Sequence, residues 1–165
     1  MIDFTKERKM IMNKIELDII PPKSTGQSGK RLGIIKNHAM MFKTKEAKDV
    51  ENMYWSLLYN KRPDKPYEGS LKVNYYFFFP YNSSVKKSIA KKKLIVPKLT
   101  KPDYDNIPKQ IQDVLTKCQY WTDDSLIFDG SIKKYFAPFG KIVITIEELD
   151  KEIDLTEELT QKGII

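Results

Sequence analysis

One cysteine, Cys118, and one histidine, His38, are all that 165 residues supply of the two side chains most used for disulfides and zinc. A disulfide framework is excluded, and so is an ordinary Cys/His zinc site, which needs about four such ligands. Any metal bound here is held by oxygen. Long hydrophobic runs are missing as well. The most apolar stretch, YYFFFPY at 75–81, is short, aromatic and broken by Pro80, far from the roughly 20 apolar residues that span a bilayer. The first ten residues, MIDFTKERKM, lack the apolar core of a secretory signal. A cytoplasmic protein with no membrane partner is the expectation. There is no internal repeat and no long linker.

What is present fits one folded domain: 41% apolar, 12% aromatic and 31% charged residues, in a chain long enough to bury a core without covalent staples. The net charge of +7 is unevenly spread. Residues 147–165 hold seven acids and two lysines, a net of −5, which leaves +12 on residues 1–146. Residues 84–101, SVKKSIAKKKLIVPKLTK, carry seven lysines and no acid. Such a surface suits a polyanion, nucleic acid first and an anionic membrane surface second, although a solvated lysine-rich face gives the same composition.

Periodicity divides the chain. Ile15, Leu17 and Ile19 alternate with polar residues, which predicts a strand over 13–20 ended by Pro21-Pro22. The basic, glycine-bearing KSTGQSGKRLG at 23–33 reads as a loop. From Thr44, a good N-cap, the spacing of Ala47, Val50, Tyr54, Leu57 and Leu58 predicts a helix to about residue 60. Residues 70–80 read as a second strand, and 84–93 have modest helical character. Ile107, Ile111, Val114, Leu115 and Cys118 share one face of a helix over 106–118, capped by Asn106. Residues 123–136 and 140–147 read as two strands joined by a hairpin loop, APFGK. The expected fold is therefore α/β (α+β): a single domain over 1–147, with a mixed sheet in the order β-α-β-α-β-β and helices packed on it. An acidic tail over 148–165 follows, with a short helix capped at Thr156 or a frayed end.

Against the basic background, residues 100–128 gather five aspartates, Asp103, Asp105, Asp113, Asp123 and Asp124. Asp103 and Asp105 sit at the entrance of the predicted helix. Lys109 and Asp113 fall opposite its apolar stripe. Asp123 and Asp124 open the following strand. Carboxylates drawn together repel one another unless a cation sits among them or some are protonated. An oxygen-only set suits Mg²⁺ or Mn²⁺, which keeps waters and substrate phosphate oxygens as its other ligands. Each aspartate taken singly also reads as a cap or turn residue. Lys109 alone reads as a solvated helix lysine, Trp121 and Tyr120 as core, and His38 as a loop residue.

The motif KPDYDNIPKQIQDVLTKCQYWTDDSLI, residues 101–127, resembles the RusA family of Holliday junction resolvases, crossover junction endodeoxyribonucleases, in its phage-type members. Lys101, Pro102, Asp103, Asp105, Asn106, Lys109, Asp113, Leu115, Asp123 and Asp124 match the family pattern in order and spacing. Pro108, Leu126 and the KCQYW stretch depart from it without touching an expected ligand. The resemblance implies an Mg²⁺-dependent homodimer, with Mn²⁺ as a substitute, that binds four-way junction DNA and nicks two strands symmetrically. It implies Asp103, Asp105 and Asp124 as metal-binding catalytic carboxylates and Lys109 as the catalytic lysine. Asn106, Asp113 and Asp123 would support them. Phosphate contacts are expected from Lys23, Lys30, Arg31, Lys86, Lys87, Lys91, Lys92, Lys93 and Lys101. Two other readings stand beside this one: a non-catalytic branched-DNA or RNA-binding module, and a flap or single-strand nuclease of the same chemistry.

Overall fold

Residues that alternate apolar and polar need a surface to lie against, and a five-stranded sheet supplies it. The computed structural model describes residues 11–23, 30–35 and 38–165. Its elements run β1 (Ile11–Leu17), β2 (Lys30–Ile35), β3 (His38–Lys43), α1 (Lys45–Leu58), β4 (Ser70–Pro80), α2 (Lys87–Lys91), β5 (Val96–Pro97), α3 (Lys109–Lys117), β6 (Ile127–Ala137), β7 (Lys141–Leu149) and α4 (Thr156–Gln161). The main sheet has the order β1-β7-β4-β6-β5, and β2 pairs with β3 in a separate hairpin. β4 and β6 are parallel, whereas β4–β7, β1–β7 and β5–β6 are antiparallel. The sheet is mixed and carries helices, as the expected α+β class requires.

β4 is the centre. Its side chains alternate half-buried and buried along all eleven residues, and the buried set, Leu71, Val73, Tyr75, Phe77 and Phe79, shares one core with Ile142, Ile144 and Ile146 of β7 and Ile15 and Leu17 of β1. Tyr54 and Leu58 of α1 and Ile111, Val114 and Leu115 of α3 complete that core. Each such side chain contributes roughly 1.5–3 kcal/mol over leaving it in water. Trp121 and Tyr120 are buried as expected, with the Tyr120 hydroxyl donating to the Leu58 carbonyl at 2.9 Å and the Trp121 indole N–H to Thr116 Oγ1 at 2.8 Å. On the opposite sheet face the Phe78 ring stacks on Tyr135, centroids 5.3 Å apart.

Several expectations are corrected. β6 and β7 do not form a hairpin, because β4 lies between them; residues 138–140 pass across the end of β4, where Phe139 tilts against Phe78. A Pro-Gly loop encodes reversal of direction, not adjacency, and the most apolar strand takes the central place. The stretch 23–33, read as a loop, contains most of β2, whose register with β3 runs from Lys30↔Lys43 to Ile35↔His38. His38 thus lies in a strand, and residues 24–29 of that stretch are outside the described part. α1 follows the predicted span, and Thr44 Oγ1 accepts from the Ala47 N–H at 3.3 Å. α3 starts at Lys109, three residues later than Asn106. Asp103 O closes a turn by accepting from the N–H groups of Asn106 and Ile107. Pro108, lacking an N–H, interrupts the ladder before it resumes with Gln112 donating to Pro108 O. Asp123 and Asp124 precede β6, since Asp124–Leu126 form a 3-10 turn and the strand begins at Ile127. At α4 the start is covered by Asp154, whose carboxylate accepts from the Thr156 N–H at 2.9 Å, and not by Thr156 itself.

Candidate active site and basic surface

The turn that Asp103 closes puts Asp103, Asp105 and Lys109 at one end of α3, all three exposed. Lys109 Nζ lies 3.9 Å from Asp105 Oδ2 and donates to Asn106 Oδ1 at 3.3 Å. Asn106 therefore orients the lysine rather than capping the helix. Asp103 makes its described hydrogen bonds through its backbone carbonyl, which leaves the carboxylate turned to solvent.

Asp124 reaches the same helix from the other side. Gln112, one turn into α3, donates from Nε2 to Asp124 Oδ2 at 3.4 Å, while its Oε1 accepts from the Tyr75 hydroxyl at 3.3 Å. Tyr75 is 3% exposed. Burial, reinforced by the Asp124 charge, holds its phenol protonated far beyond its usual range. The chain Tyr75–Gln112–Asp124 thus runs from the middle of the core strand to the surface carboxylate. Nothing in the sequence alone singles out Tyr75 or Gln112. Their signal, a tyrosine on the buried side of a strand and a glutamine three residues after Lys109, has meaning only once β4 and α3 are packed. Asp123 caps the 3-10 turn by accepting from the Ser125 N–H at 2.8 Å, and that hydrogen bonding to Ser125 holds its carboxyl below the usual range. It fixes the turn that presents Asp124. Asp113 is exposed on the solvent stripe of α3, where its charge helps to raise the Lys117 pKa; the larger cause is the Lys117–Glu51 pair that joins α3 to α1.

Among the described residues no three His, Cys, Asp or Glu side chains converge closely enough to hold an ion. The structure brings Asp105 to Lys109 and links Asp124 to α3, but it does not gather the five aspartates into a cluster. The donor set itself fits a hard divalent cation: Asp103, Asp105 and Asp124 are exposed, oxygen-only and carried by two short turns at the surface of one helix.

The basic residues take definite places. Lys86 precedes α2, Lys87 and Lys91 lie on it, and Lys92 and Lys93 follow it, all exposed. Lys101 and Lys23 are exposed in loops and Arg31 is exposed on β2. Lys30 is on β2 too, with its side chain outside the described part. A groove lined by Lys86, Ile89, Leu99, Thr100 and Phe136 joins α2 to the segment that leads into Pro102. Two further lysines, not expected from the sequence, belong to this region. Lys134 Nζ donates to the carbonyls of Thr100 and Pro102 at 3.0 and 2.6 Å, and Lys98 is buried. No described helix is long and apolar enough to cross a membrane.

Comparison with known proteins gives a family match and several relatives. Residues 20–147 match the family described as Endodeoxyribonuclease RusA. The Lactococcus phage r1t protein named crossover junction endodeoxyribonuclease rusA is 30% identical over 138 residues, 82% of this chain and 96% of that one. The Escherichia coli O139:H28 (strain E24377A / ETEC) protein of the same name is 38% identical over 58 residues, 34% of this chain and 48% of that one. An uncharacterised Bacillus subtilis (strain 168) protein, YqaN, is 28% identical over 127 residues, 73% of this chain and 88% of that one.

Proposed function

The chain belongs to the RusA family of endodeoxyribonucleases, and from that premise we propose that it resolves four-way DNA junctions by hydrolysing phosphodiester bonds. The observation that carries the reading is the common address of the motif residues: Asp105 and Lys109 meet at the start of α3, and Asp124 is tied to the same helix through Gln112.

In this mechanism Asp103, Asp105 and Asp124 would hold Mg²⁺, or Mn²⁺ in its place, and the bound ion would supply an activated water and neutralise charge on the phosphate. Lys109, half-exposed beside Asp105, offers a fixed ammonium to the charge that builds on the phosphate or the departing 3′ oxygen. Asn106 keeps that ammonium in place. Gln112 and Asp123 hold Asp124 at the surface, each through one hydrogen bond to the carboxylate or to its turn. Cleavage leaves 5′-phosphate and 3′-hydroxyl ends. A two-fold homodimer presents two such sites to a two-fold branched substrate, so the nicks come in pairs. Lysines of the α2 region, with Lys23, Arg31 and Lys101, hold backbone phosphates without reading bases.

The open spacing of the carboxylates favours one second reading, a branched-DNA binder without catalysis. The test is cleavage of a labelled four-way junction beside linear duplex, with Mg²⁺ or EDTA, by wild type and Asp105→Asn. Paired nicks near the branch point that require Mg²⁺, and that vanish in the variant while junction binding persists, are the expected result. Binding without any cut in Mg²⁺ or Mn²⁺ would make the protein a binder.

A further inference from the structure

A buried cation without a counter-charge marks a second site beside the first. Lys98 follows β5, and its N–H donates to Lys134 O at 2.9 Å. Its side chain turns inward and the residue is 6% exposed. Nζ lies 4.9 Å from the Phe79 ring centroid and 4.6 Å from that of Phe136, and donates to Thr100 Oγ1 at 2.5 Å. Among the described residues no carboxylate pairs with it. Burial, with the charges of Lys134 and Lys23 beside it, pushes its pKa down. Two aromatic faces and a hydroxyl compensate an ammonium only in part. A buried charge ordinarily has a partner of opposite sign, and here the missing partner is an anion.

The space to receive one is present. Lys98 lines a cavity of about 570 Å³, in the range of roughly 300–1,000 Å³ that small-ligand sites occupy. Lys23 and Lys101 add two more cations to its wall, and Ile20, Pro21, Pro80 and Tyr81 give it flat apolar surfaces. The Tyr81 ring is anchored by its hydroxyl, which donates to Leu94 O at 2.6 Å. Pro102, also in the wall, immediately precedes Asp103. Cationic and stacking surfaces in one pocket match the two parts of a nucleotide, its phosphate and its base.

We propose that this cavity takes up one unstacked nucleotide of the strand being cut, its phosphate against Lys98, Lys23 and Lys101 and its base against the Pro21, Pro80 and Tyr81 surfaces. The inference rests on the junction-nuclease reading, since a branch point is where unpaired nucleotides are available at least cost.

The test is thermal unfolding of the full chain with millimolar deoxythymidine 5′-monophosphate, thymidine or inorganic phosphate, alongside junction cleavage by the same proteins. The variants are Lys98→Met, which keeps the aliphatic stem, and Lys23→Glu, on an exposed residue that carries the comparison should Lys98→Met fail to fold. The monophosphate is expected to raise the wild-type Tm more than phosphate or thymidine does, and that rise is expected to fall by at least half in the variants. A rise no larger than that with inorganic phosphate, or one of full size in the folded variants, overturns the proposal. A wild type that cuts no junction, yet binds the monophosphate through Lys98, would sink the resolvase reading and leave the pocket standing. Junction cleavage equal in all three proteins, with no nucleotide-dependent shift, would remove the pocket, and Lys23 as a phosphate contact with it, and leave the resolvase reading standing.

Discussion

Gln112 shows how a single side chain can join the core to the candidate site. Its amide oxygen accepts from the buried Tyr75 hydroxyl and its amide nitrogen donates to the exposed Asp124. Gln112→Leu removes both hydrogen bonds. Loss of a group that orients a ligand typically costs about 10-fold to 100-fold in metal affinity or activity, so junction cleavage is expected to fall by that factor. The Mg²⁺ concentration for half-maximal rate should rise, while junction binding in EDTA stays unchanged. The same change strands the Tyr75 hydroxyl, at roughly 1–3 kcal/mol, and adding Tyr75→Phe should recover most of that stability without recovering the rate. Urea unfolding and single-turnover cleavage of both variants check the two halves. An Mg²⁺ requirement that does not move would reduce Gln112 to a packing residue. The motif aspartates and Lys109 are legible in the sequence because they follow one another closely along the chain. Lys98, Gln112 and Tyr75 are not, because their significance depends on what packs above them.

Elements are legible where the pattern is local. α1 announces itself by a capping threonine and a helical stripe, and the structure keeps both. β6 and β7 mislead because a tight reversal is the signal of a hairpin, and only the competition for the centre of the sheet decides which strand lies between them. The start of α3 is displaced by a proline that breaks the ladder just after Asn106, a good capping residue by type. Close approach of elements gives a test at this scale. Where the chain enters β4, Gly69 faces the end of β7: a Cβ there would lie 2.2 Å from Leu149 O and 2.9 Å from Glu148 Cγ. The Gly69 N–H also donates to Glu148 Oε1 at 2.8 Å. Gly69→Ala must push β7 away from β4 and should cost about 1–3 kcal/mol, read as a lower urea midpoint at unchanged slope. A midpoint equal to wild type would mean that the β4–β7 border yields freely.

At the scale of the whole molecule the charge arithmetic becomes geography. The lysines of residues 86–93 surround one short helix, and the groove beside it leads to the segment before Asp103. The tail that carries the net negative charge holds α4 after the last strand. If the α2 lysines hold backbone phosphates, each neutralised phosphate releases counterions. The slope of log affinity against log salt should then shrink by about 0.9 for every phosphate that a variant no longer neutralises on B-form DNA. In an Asp105→Asn background, expected to be silent in cleavage, the triple change Lys91→Gln, Lys92→Gln and Lys93→Gln should flatten the slope by about 2–3, with little change in urea stability because all three are exposed. An unaltered slope would move the DNA path off α2.

The central position of β4 also bears on how the protein is made. β4 ends at Pro80, and both of its neighbours, β6 and β7, lie beyond residue 126. At ribosomal speeds of about 5–20 residues per second, the run YYFFF is made seconds before either of its partner strands, β6 and β7. An unpaired aromatic strand is what cross-β association and chaperone capture select for. The interval between β4 and its neighbours is filled largely by the lysine-rich segment and the aspartate turns, so a highly charged part of the chain is the next to emerge beside the waiting strand.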